Sequence, residues 1–175
     1  LFPLTGRNIY FLVAFILWIG SAARAQEDTC ACCTDNHMAF DFWVGTWKVT
    51  DAEGSFVGRN RIDKVEDGCV LREHWTSSKG NFSGTSLNFY NSKTRQWEQL
   101  WVDNFGNHLK LKGNRVGNQM ILSSEDFVHT DGNTYQNRIT WTLNDNGTVR
   151  QLWEVLQDDK VSNVVFDGLY SKEDE

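Results

Sequence analysis

The chain has 175 residues, with 17 lysines and arginines against 23 aspartates and glutamates, for a formal charge of −6. An acidic chain with no basic run lacks the electrostatic footprint that nucleic acid or an anionic membrane surface requires. Eight tryptophans and one proline, Pro3, suit a protein built of sheet ladders, in which nearly every backbone N–H is a donor.

Arg7, an apolar run over residues 9–19 and Ala23-Arg24-Ala25 follow the order of an export signal: charge, apolar stretch, small-x-small cleavage site. The run of 11 residues is short of the roughly 20 that span a bilayer. The sequence therefore predicts a signal peptide over residues 1–25 and a secreted or periplasmic protein. Its removal takes away two arginines and no acid. It leaves 150 residues with 15 basic and 23 acidic side chains, a formal charge of −8. That is one domain's length, and no later apolar stretch is long enough to cross a membrane.

Residues 26–39 form a short segment holding Cys30, Cys32 and Cys33; Cys69 stands apart. Four cysteines in an exported chain predict disulfides, with Cys69 bridged to Cys32 or Cys33. The competing reading makes Cys30, Cys32, Cys33 and His37 a zinc or copper set. The disulfide is the blander chemistry, and no metal is expected. Residues 34–39 are expected to form a helical turn at the mouth or the base of the domain.

From residue 40 onward helical periodicity is nearly absent. Runs rich in Val, Ile, Thr, Phe, Tyr and Trp alternate with turn residues, predicting strands at about 42–50, 56–65, 69–76, 84–91, 96–103, 107–112, 118–124, 135–144, 148–156 and 163–171. Asp67-Gly68, Asp131-Gly132 and Asn146-Gly147 supply the positive φ of tight hairpins. About ten strands joined by hairpin-length links predict an all-β, antiparallel up-and-down barrel, because closure removes the edges of a long sheet. The barrel is expected over residues 40–171, followed by an acidic tail over 172–175.

Several segments carry a resemblance. They are Phe42-Trp43-x-Gly45-x-Trp47, Gly68-Cys69-Val70-Leu71-Arg72-Glu73-His74-Trp75, Trp97-x-Gln99-x-Trp101-Val102-Asp103, Arg138-Ile139-Thr140-Trp141 and Arg150-Gln151-x-Trp153-Glu154. Over residues 40–171 the chain resembles the DUF1579 family of lipocalin-like bacterial domains. The resemblance implies that Gly45 and Trp47 close one end of the barrel. Many lipocalins lay an arginine across that tryptophan, whereas the last strand here offers only Lys172. Haem-binding barrels of similar build present a histidine on a late strand. The last two predicted strands have none, and no cofactor is expected.

Strand alternation locates a candidate interior. One face carries Glu73 and Trp75, another Trp97, Gln99, Trp101 and Asp103, and a third Gln151 and Trp153. Tryptophan mixed with single polar groups is unusual for a dry core, since buried polar groups need partners. It fits a cavity that binds a small apolar or amphipathic molecule. The expected ligand-binding residues are Glu73, Trp75, Gln99, Trp101, Asp103, Gln151 and Trp153. No nucleophile–base–orienter set is visible. An alternative is a cofactor-independent isomerase or lyase using Glu73 or Asp103 as acid and base; another is a filled structural barrel, with Glu73 paired to Arg138 or Arg150.

Overall fold

A computed structural model describes residues 30–173 of the chain; the expected signal peptide lies outside them. Short turns over residues 31–40 lead into a 3-10 turn, Asp41–Trp43. Eleven strands follow: β1 (Gly45–Thr50), β2 (Phe56–Val65), β3 (Val70–Ser77), β4 (Ser83–Asn91), β5 (Gln96–Asp103), β6 (His108–Val116), β7 (Gln119–Ser123), β8 (Phe127–Val128), β9 (Thr134–Leu143), β10 (Val149–Gln157) and β11 (Lys160–Lys172).

Every pairing is antiparallel. The strands from β1 to β7 run as a meander, β9 pairs with β7 and β10, β10 with β11, and β11 returns to β1. The result is a closed barrel of ten strands. The two-residue β8 lies outside it, paired with the start of β9 through Phe127 and Tyr135.

Strand boundaries depart from the expected ones in β6 and β11. Asn114 to Gly117 reads as a break in sequence, yet β6 continues to Val116, with Arg115 opposite Met120. Cross-strand pairing there outweighs the turn propensity of Asn114, while Gly117 keeps the turn with φ 60°. The last strand starts at Lys160 rather than near 163 because Asp158 and Asp159 both take positive φ, 50° and 60°, making a two-residue turn. The same strand passes the expected boundary at 171. Lys172 pairs with Trp47, and Glu173 donates its N–H to Thr46 and bonds Arg59 through its carboxylate. The first residues of the acidic tail are thus part of the barrel closure.

One end is plugged by the segment before β1. Phe40 stacks on Trp43 at 4.9 Å and meets Trp97 and Trp141 edge-on. Trp47 donates its indole N–H to the Trp43 carbonyl at 2.8 Å. Lys172 lies across Trp47. Its ammonium sits 4.9 Å from the Trp47 ring centre and donates to the Val44 carbonyl at 3.0 Å. Gly45 makes this approach feasible, because a Cβ there would lie 2.8 Å from the Lys172 nitrogen. The turns over residues 34–39 therefore lie at the base, pinned by the Trp97 N–H bonded to the Asn36 carbonyl at 2.9 Å.

Cys32 is bonded to Cys69, with Cα atoms 5.1 Å apart, and Cys30 to Cys33. These bonds consume the thiolates that a zinc or copper set would need, and His37 meets Thr34 and Tyr90 instead. The Cys32–Cys69 bond ties the plug to the turn before β3 across a separation of 37 residues. Replacing both cysteines by serine is expected to lower unfolding stability by roughly 3–4 kcal/mol in denaturant titrations. The unreduced, denatured protein should show no free thiol in residues 30–173.

Candidate functional site

Above the plug, the interior side chains fall into two levels. The lower level is polar. Asn60 on β2, Glu73 on β3, Ser86 and Asn88 on β4, and Gln99 on β5 are all buried, and Tyr170 on β11 joins them. Glu73 is the hub. One carboxylate oxygen accepts from the Asn60 amide at 2.7 Å and the other from the Ser86 hydroxyl at 2.5 Å. Asn88 donates to Ser86 at 2.8 Å and to the Leu71 carbonyl at 3.1 Å, and Gln99 donates to Asn88 at 2.8 Å. Tyr170 donates its hydroxyl to Gln151 on β10.

The upper level is aromatic and encloses space. A cavity of about 470 Å³ is bounded by Trp75, Trp101, Trp141, Trp153, Phe82 and Phe166, with Glu73, Gln99, Gln151 and Tyr170 at its polar end. This volume falls in the range of small-molecule sites. Strand glycines position two of its walls. Trp101 lies across Gly84, where a Cβ would come within 2.1 Å of the indole, and Trp75 lies across Gly58, where the clash would be at 2.7 Å. Trp153 is fixed by its N–H bonded to Asn137 at 2.8 Å.

All seven residues expected at the site border this one cavity, but Asp103 does so differently from the rest. Its carboxylate accepts from the backbone N–H groups of Phe105 and Asn107, at 2.9 and 3.0 Å, and from the Asn107 side chain. Burial is the largest single influence and raises its pKa, but the hydrogen bonds from Asn107, Phe105 and Gly106 together outweigh it and hold the group below the usual carboxylate value. Asp103 is therefore a turn-capping anion at the rim, poorly suited to proton transfer.

Glu73 behaves in the opposite way. Burial pushes its pKa up to about 7, against the downward pull of the Ser86 and Asn60 hydrogen bonds. Among the described residues no arginine partners it. Arg138 bonds Glu154 at 2.9 Å, and Arg150 bonds Asp167 at 2.6 Å. Burial, with the nearby Glu73 charge, also raises the Tyr170 phenol well above its ordinary value.

Asn60, Ser86, Asn88 and Tyr170 escaped the reading of single strands. The available signal was their phase. Gly84, Ser86 and Asn88 share one face of β4, and Phe166, Gly168 and Tyr170 share one face of β11. No protein-family model matches the chain, and no curated protein matches it in sequence.

Two predictions follow from this geometry. The protonated Glu73 carboxyl stabilises the fold fully below about pH 4.5, and that stability is lost as pH rises through about 7. The total is about 3 kcal/mol. Unfolding free energies measured between pH 4 and 8 should therefore fall across this window in the native protein, and Glu73→Gln should flatten the slope. Gly84→Ala should displace the Trp101 ring, costing about 1–3 kcal/mol in denaturant unfolding and shifting the tryptophan emission.

Proposed function

We propose that this is an exported lipocalin-like barrel of the DUF1579 type that holds one small apolar or amphipathic molecule in its interior. The observation that carries the reading is the 470 Å³ cavity, walled by indole and phenyl rings and ended by Glu73, Gln99, Gln151 and Tyr170. Apolar walls supply binding energy through burial, and a few convergent polar groups orient the guest. Two disulfides among residues 30–69 favour an oxidising compartment, in keeping with export.

The acid–base alternative retains one supporting observation, the Glu73 pKa of about 7, since proton transfer is most efficient when pKa is near ambient pH. Asp103, tied into its turn, supplies no second group for such chemistry.

Titration with an environment-sensitive aromatic probe tests the binding reading. Tryptophan emission should change saturably at one probe per chain, and Trp101→Ala should alter the response. The reading fails if the native protein binds no probe and Trp101→Ala only destabilises, by roughly 3–5 kcal/mol as for a filled core.

A further inference from the structure

We propose that the guest is an organic cation, an amine whose protonated nitrogen pairs with Glu73 while its apolar body lies among Trp75, Trp101, Trp153 and Phe166. The inference rests on the binding reading above and names the ligand class.

The charged lining of the cavity has one sign. Among the described residues, the only carboxyl groups on the cavity wall are those of Glu73 at the polar end and Asp103 at the rim, and no lysine, arginine or histidine lines it. The residues facing Glu73 from other strands are neutral: Asn60 from β2, Ser86 from β4 and Tyr170 from β11. Lys172 is engaged at the plug with Trp47 and Val44. The interior thus holds a carboxyl group with no countercharge among the described residues.

Glu73 also has unused acceptor capacity. An ionised carboxylate has about four acceptor positions, and Glu73 uses two of them, for Asn60 and Ser86. Acceptor positions remain for N–H donors from a guest. The folded protein already bears the cost of removing this group from water. A cation recovers part of that cost, because it brings the charge that the site lacks. A guest carboxylate would instead place a second negative charge beside the first. A neutral alcohol would gain a hydrogen bond without the charge.

The aromatic wall favours the same guest. Aromatic faces attract cations, tryptophan most strongly, and the attraction grows in sites withdrawn from water. Four tryptophans border this cavity. When the carboxyl begins protonated, binding of the ammonium releases that proton to solvent. Affinity therefore falls as the pH drops below about 7, the Glu73 pKa. Asp103, with its lowered pKa, stays ionised over this range, and Tyr170 stays neutral.

Octylamine, octan-1-ol and octanoate share one chain and differ in headgroup, so calorimetric titration of the native protein with each isolates the charge. At pH 8 octylammonium is expected to bind about tenfold tighter than octanol or octanoate. Its affinity should fall roughly thirtyfold by pH 5.5, with no such fall for octanol. Glu73→Gln should remove the preference. Octanol or octanoate binding as tightly as octylammonium would overturn the inference and leave the binding reading standing. So would an amine affinity that does not change with pH, which needs no variant to fold. Failure of all three to bind would defeat the binding reading itself, and the inference with it.

Discussion

The pairing of β1 with both β2 and β11 is the constraint on which the rest depends. It turns an open meander into a ring with no free edge, and it fixes the phase of every interior side chain. Because alternation has a period of two, a one-residue slip on any strand would turn its interior set to solvent. The plug locks this closure from the end. Lys172, at the end of β11, reaches over Trp47 to the Val44 carbonyl, and Glu173 adds a backbone bond to Thr46. The junction is thus held by ladder bonds, a cation over an aromatic ring and a side chain bonded to the plug.

Inside that ring the plug is densely aromatic, and the next level is polar because β2, β4 and β5 place Asn60, Ser86, Asn88 and Gln99 in phase with Glu73. A buried network of this kind depends on its members satisfying one another; the chain of bonds from Gln99 to Asn88 to Ser86 to Glu73 does so, whereas the Asn60 Oδ1 is left without a partner. The third level opens into the cavity where Trp75, Trp101 and Phe166 pack closely against Gly58, Gly84 and Gly168. One interior therefore combines a stable base with space above it.

Much of this architecture is legible in sequence because barrels are written in local alternation and tight turns. The phases of Glu73 and Trp75, of Gln99 and Trp101, and of Gln151 and Trp153 follow directly from counting by two. What is not legible is non-local. Asn60 acquires significance only because β2 lies beside β3, and Tyr170 only because β11 closes against β1. Asp103 has the interior phase, but whether its carboxylate addresses the cavity or its own hairpin depends on the turn to Asn107. The Cys30–Cys33 bond likewise depends on how a short irregular segment folds.

The central claim is that the space between the polar level and the rim is a receptacle, not a packing defect. Crystals soaked with a bromine-labelled eight-carbon alcohol would test this directly, because bromine marks the guest by its anomalous scattering. The account predicts one bromine peak inside the barrel, in contact with Trp75, Trp101 or Trp153, with those rings close to their unliganded positions. Bromine found only on the outer surface, with the three indoles folded into the space, would contradict it.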